Sequence, residues 1–174
     1  MPTVKRPKLE LSYHRPEWKV EYTKMVKELT AMIPNYIPVC IMHVGSTAVK
    51  GLAARPIIDV AIGVLNPLDL FTVRDIMSVH NFRFSEERST IFDLFMERRG
   101  MGKQRFNIHI VEYEGSRWND MVEYTNYLKE NKQAAKKYAE FKTELLFKKN
   151  LAYDEYEAKK AEYLKELKKE YKTV

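Results

Sequence analysis

Only one of the 174 residues is cysteine, Cys40, so no intrachain disulfide framework staples this chain, and its cysteine usage fits a reducing compartment. No Gly/Ser-rich stretch separates two modules, and no segment repeats. No apolar run approaches the roughly 20 residues needed to span a bilayer. The opening stretch Met1–Pro7 lacks the apolar core of a signal peptide, so the expected location is cytoplasmic, with no membrane partner. With 8 Phe, 11 Tyr and 2 Trp, disorder along the whole chain is excluded. The length suits one hydrophobic core and is short for two, so residues 1–174 are expected to form a single domain.

The formal net charge is +6, yet the charges are mixed rather than massed. From Lys129 to Val174 there are 13 Lys and 9 Asp or Glu, interleaved as in Lys168-Lys169-Glu170. That is the pattern of solvated helix faces, with a weak phosphate-attracting field as the alternative. A nucleic-acid partner is not favoured, because no concentrated aromatic-basic patch is present.

Pro16-Glu17-Trp18 opens a predicted helix through Met32, with Trp18, Tyr22, Met25 and Leu29 at helical spacing. Strands are expected at Ile37–Val44, Pro56–Leu65, Thr90–Arg98 and Arg105–Tyr113. Cys40 is read as a core residue of the first. A helix from Pro67 to Val79, capped by Asn66, follows the second, and a turn at Arg99-Gly100-Met101-Gly102-Lys103 joins the last two. Three more helices then follow: one from Ser116, its expected cap, one over Ala134–Lys148 and one over Tyr156–Tyr171. The sum is an α/β fold: a mixed sheet flanked by helices, with a carboxy-terminal helical layer over residues 116–174. The pattern leaves strand order open.

Chemistry concentrates between His43 and Asp59. Gly45-Ser46 after a strand permits a tight turn that presents N–H groups and a hydroxyl to an anion. Asp59 interrupts Ile57-Ile58 and Val60-Ala61-Ile62, a run otherwise fit for burial. An ionised carboxylate there needs hydrogen bonds, a cationic partner such as Arg55, or a metal ion. Alternation puts Asp59 on one face with Ala61 and Gly63, whose small size leaves room above it. Alternation likewise puts Asn107 and His109 on one face of the last strand. His43 is read either as a brace for the Gly45 turn or as a chemical group.

The stretch His43-Val44-Gly45-Ser46-Thr47-Ala48-Val49-Lys50-Gly51-Leu52-Ala53-Ala54-Arg55-Pro56-Ile57-Ile58-Asp59 resembles the signature of the GrpB-like family, within the nucleotidyltransferase superfamily. Arg55 stands where that pattern has Lys. The resemblance continues through His109-Ile110-Val111-Glu112, Gly115-Ser116-Arg117-Trp118 and Tyr156-Glu157-Ala158-Lys159, covering nearly the whole chain. It implies a nucleotidyltransferase-like fold in which Gly45 and Ser46, with Thr47, hold nucleotide phosphates. Asp59 becomes the first ligand of Mg²⁺ or Mn²⁺, aided by His109, and Lys50 or Arg55 neutralises phosphate charge. His43 orients the turn or takes part in proton transfer. Ala61 occupies the place of the superfamily's usual second acid, and Asn107 that of a frequent His. The function this implies is NTP- and metal-dependent modification of an acceptor. The alternatives are non-catalytic binding of a nucleotide or phosphorylated metabolite, and an RNA-binding or protein-interaction module.

Overall fold

The computed structural model describes residues 10–99, 104–147 and 151–172. Helix α1 (Glu17–Met32) leads into strand β1 (Val39–Val44), a short 3-10 turn at Ser46–Ala48, and strand β2 (Ile57–Val64). Helix α2 (Asp69–Ser78), β3 (Arg83–Phe84), β4 (Leu94–Arg99) and β5 (Arg105–Glu112) follow. Helices α3 (Ser116–Glu130), α4 (Lys132–Phe147) and α5 (Tyr153–Lys172) complete the chain. The sheet runs in the order β1-β2-β5-β4-β3, with β2 and β5 parallel and every other pair antiparallel. This is a mixed α/β fold with a central sheet flanked by helices and closed by a carboxy-terminal helical layer.

Alternation assigns the two faces. Ile58, Val60, Ile62, Ile108 and Ile110 point to one side, where Trp18, Met25 and Leu29 of α1 and Val73 and Met77 of α2 bury against them. Ala61 and Val111 point to the other, under Trp118 and Met121 of α3. A third cluster joins Val49 and Leu52 to Leu128, Tyr138 and Leu167, fastening α3, α4 and α5 to the loop after the 3-10 turn. The centre of the sheet is thus covered on both sides, as the nearly unbroken apolar run of β2 requires.

Several expectations need correction. Strand β1 lies at the sheet edge and is half-buried, so Cys40 is partly exposed rather than a core residue. The strand expected from Thr90 begins only at Leu94, because Thr90 and Asp93 close a small turn through reciprocal backbone hydrogen bonds. Gly115, not Ser116, occupies the cap position of α3. Helix α2 begins at Asp69 with Leu68 at its cap position, so Asn66 is not the cap; its side-chain oxygen accepts the Leu68 N–H at 3.1 Å in the turn before the helix. Residues 100–103 of the expected turn, and Lys148 at the expected end of α4, lie outside the described residues.

The small residues after Asp59 also have a different cause from open space. A Cβ on Gly63 would lie 2.8 Å from the Trp118 ring, and Ala61 is fully buried in the same cluster. They seat the indole.

Candidate functional site

Parallel pairing of β2 and β5 sets Asp59 beside Asn107 and Ala61 beside His109, so the residues expected to share a face do share it. The Asn107 amide donates to Asp59 Oδ1 at 2.8 Å. Gly45 has φ 77°, the left-handed region that favours glycine, and a Cβ there would sit 2.7 Å from Asp59 Oδ2. The turn residue is therefore constrained twice, by its backbone and by the carboxylate against it.

Above this face a cleft of about 420 Å³ opens between the sheet and helices α3 and α5. Asp59, Asn107 and His109 form its floor. Its walls carry Arg55, Arg88, Arg117, Lys160, Lys165 and Lys168, against only two further carboxylates, Asp120 and Glu157. Glu157 lies 3.0 Å from Arg55, and Asp120 is bonded to Lys168. Beside it a recess of about 30 Å³, water-sized, is lined by Ser46, Thr47, Arg55, Asp59, Lys142 and Lys160 among others. A low-dielectric wall bearing several cations focuses a positive potential into the cleft.

The structure separates some expected partners from this group. His43 lies on the opposite face of the sheet, stacked on Tyr22 at 4.6 Å, with Nε2 2.9 Å from the Thr47 hydroxyl. Burial pushes its pKa down to about 4, against the pull of Asp59. That geometry braces the turn. The Thr47 hydroxyl is paired with His43, and the Gly45 N–H donates to the Thr125 hydroxyl at 3.0 Å, so the Gly45 N–H is not open toward a phosphate. Lys50 is exposed and does not line the cleft. Arg55, Asp59 and His109 are brought together around the cleft, while Ser46 lines the adjoining recess, which shares Arg55 and Asp59 with it.

Sequence reasoning missed three residues. Lys142 was grouped with solvated charges, yet it is only 2% exposed. Its Nζ donates to Ser46 Oγ at 3.1 Å and to the Ala53 carbonyl at 2.6 Å, and lies 4.5 Å from the centre of the Tyr138 ring. Burial, with Lys160 and Arg55 nearby, lowers its pKa to about 7. Asp93 is buried, with both oxygens near His109 Nδ1, at 2.9 and 3.0 Å, and with Oδ2 accepting from Arg117 Nε at 2.7 Å. Burial raises its pKa, but His109 and Arg117 outweigh that and hold it below the ordinary carboxylate range. The signal for Lys142 was its place on the Ala134–Tyr138–Leu145 stripe of α4; Arg117 stood in the Gly115–Trp118 stretch of the resemblance without a role, and Asp93 gave none.

Among the described residues no three His, Cys, Asp or Glu side chains gather as a metal-ligand group. The donors available to a cation are Asp59 and the Nε2 of His109, whose Nδ1 is taken by Asp93. A carboxylate on a ring-bearing imidazole is the usual support of a metal-binding His. One carboxylate and one imidazole fit a cation that completes its shell with ligand phosphate and water, Mn²⁺ more readily than Mg²⁺ on account of the nitrogen.

This is a cationic cleft on one face of a mixed α/β sheet, with a single carboxylate at its floor. The family profile described as GrpB protein matches residues 8–170, and the chain belongs to that family. It is 29% identical over 147 residues to the glutamate-rich protein GrpB of Alkalihalophilus pseudofirmus, covering 82% of this chain and 83% of that one. It is also 29% identical over 140 residues to a UPF0157 protein of Halalkalibacterium halodurans, covering 79% and 69% respectively. The crystal structure of the conserved protein GrpB from Enterococcus faecalis superposes with a TM-score of 0.76 at 22% identity, over 93% of this chain and 99% of that chain, a likeness of fold. Among the described residues no helix is long and apolar enough to cross a membrane.

Proposed function

We propose that the chain is a nucleotidyltransferase-like protein that binds a nucleoside triphosphate in the cationic cleft, together with Mn²⁺ or Mg²⁺. The observation that carries this reading is the placement of Asp59 at the floor of a cleft walled by Arg55, Lys160, Lys165 and Lys168. Cations at that density suit a polyphosphate, whose charge they neutralise in a partly desolvated space. Ser46, whose Oγ accepts from Lys142, lines the recess that adjoins the cleft at Arg55, Asp59 and Lys160 and brings a hydroxyl to that end of it. Asp59 and His109 are the residues that would hold the cation, which supplies charge neutralisation at the transferring phosphate. In the transfer, an acceptor oxygen bonds to the α-phosphorus, the bond to the bridging oxygen breaks, and pyrophosphate leaves. The acceptor's proton is lost to solvent.

Ala61 favours a second reading, binding without turnover. The position of the usual second acid is buried under Trp118 and Met121, so the two-carboxylate arrangement is missing for a packing reason. One experiment separates the two. The full chain is titrated calorimetrically with ATP, GTP, CTP and UTP, with and without Mn²⁺, and each mixture is analysed by mass for pyrophosphate and altered acceptor. Metal-dependent binding with pyrophosphate release supports transfer, and binding without it supports the reading of binding without turnover. No binding of any triphosphate sinks both.

A further inference from the structure

Resting on that reading of the cleft, we propose that Arg117 and Arg88 form a second anion subsite, for the phosphate or carboxylate of the acceptor, at the opposite end of the cleft from Arg55 and the recess that Ser46 lines. Helix α3 sets the separation. Its Arg117 is bonded to Asp93 beside the carboxy-terminal end of β5, its Trp118 covers Gly63, and its Thr125 bonds the Gly45 N–H. The helix thus runs antiparallel to β2, and the eight residues from 117 to 125 give about 12 Å of rise between the two ends. Asp59 and His109 lie on the floor between them.

Arg117 is aimed, not merely present. The buried Asp93 carboxylate takes its Nε–H, which fixes the guanidinium plane and leaves the terminal amino groups for the cleft that Arg117 lines. Asp93 is itself held by His109 on the sheet, so the orientation of Arg117 is tied to the floor of the site. Arg88 lines the same end, its guanidinium 3.5 Å from the centre of the Phe95 ring, which meets His109 edge-on at 5.2 Å. Its remaining charged neighbour, Glu97, is 3.9 Å away. A stacked guanidinium keeps its edge free for hydrogen bonding, and that edge of Arg88, with the terminal amino groups of Arg117, matches the oxygens of a phosphate monoester or a carboxylate. A polyphosphate seated at Ser46, Arg55 and Lys160 leaves this pair for a different anionic group, which makes the acceptor a small anionic molecule rather than a neutral sugar or amine.

The test follows the arginine Nε–H signals of ¹⁵N-labelled full chain during titration with inorganic phosphate, and separately with succinate, before and after saturation with ATP. The expected result is an Arg117 signal that saturates with phosphate or succinate in the presence of ATP, while the Arg55 signal responds to ATP. In Arg117→Met the Arg88 signal should need at least tenfold more anion. Arg117→Lys, which keeps the charge and loses the fork, should fall between, and Asp93→Asn should weaken binding several-fold by releasing the guanidinium. Phosphate stronger than succinate assigns a phosphate monoester, and the reverse a carboxylate. An Arg117 signal indifferent to both anions, or an Arg88 response unchanged in Arg117→Met, overturns the subsite. Anion binding at Arg117 without any ATP response would leave the subsite standing and remove the nucleotide reading instead.

Discussion

Lys142 makes the structure testable without knowledge of any ligand. Its ammonium has an ordinary pKa of 10.5, which burial, then Lys160 and Arg55, lower to about 7 in the fold, with Asp59 acting the other way. Between those two values the unfolded chain holds the proton that the folded chain has released. Stability therefore rises with pH across that window, and the contribution is absent in Lys142→Met. Buried tyrosines such as Tyr138, whose pKa burial raises, begin to act in the opposite sense at higher pH, so the useful range ends near pH 9.5. From pH 7 to about 9.5 the lysine accounts for a gain of about 3 kcal/mol in the native chain relative to the variant. The offset between the two proteins is a separate matter, since methionine also leaves the Ala53 carbonyl without its donor. Only the difference in slope is diagnostic. Urea denaturation of both proteins at half-unit pH steps measures it, and two stability curves that run parallel across this range would refute the assignment of Lys142 as a buried, proton-releasing amine.

Gly45→Ala should cost about 1–3 kcal/mol, because φ is 77° and the new Cβ meets Asp59 Oδ2; a denaturation midpoint equal to that of the native chain removes the constraint. Asp59→Asn retains an amide contact with Asn107 and should leave the circular-dichroism spectrum unchanged, while triphosphate affinity with Mn²⁺ falls at least tenfold in calorimetry. Equal affinities would take Asp59 out of cation binding. Ala61→Asp places a carboxylate beneath Trp118 and Met121 and should destabilise by about 3 kcal/mol or more without creating a second metal site; tighter Mn²⁺ binding in this variant would contradict the packing argument.

What the sequence revealed of the site was carried by local rules. Period-two alternation is enough to put Asp59, Ala61 and Gly63 on one face, and Asn107 and His109 on one face of their own strand. Joining the two faces needs the pairing of β2 with β5, across 48 residues and four intervening elements (α2, β3, a 3-10 turn at Glu86–Arg88, and β4), which no local pattern encodes. Gly45 was legible for a similar reason, since a glycine between a strand and a polar turn is a backbone signal. What the glycine actually touches, the Asp59 carboxylate, was not. The room expected above Asp59 is there as the cleft, but Gly63 is small for another reason, since a small side chain marks close approach without saying by what. Here the approaching group is Trp118, from a helix that begins after the sheet is complete.

Lys142 shows where composition misleads. Counted among the interleaved charges of the last quarter of the chain, it looks like one more solvated lysine. Placed on its helix, it falls eight residues after Ala134, four after Tyr138 and three before Leu145, inside the stripe those buried residues define. A lysine on the buried stripe of an otherwise amphipathic helix has to meet acceptors there, and Ser46 Oγ and the Ala53 carbonyl are the ones it meets. Ser46 belongs to the turn that the resemblance assigns to phosphate, and Ala53 to the loop that follows it. The carboxy-terminal layer is thereby more than a cover for the sheet: α4 fixes the Ser46 hydroxyl, α3 occupies the Gly45 N–H, and α5 supplies Lys160, Lys165 and Lys168 to the cleft. A sheet without these helices would keep Asp59 and His109 in register and lose most of the cations that make the cleft a site for an anion.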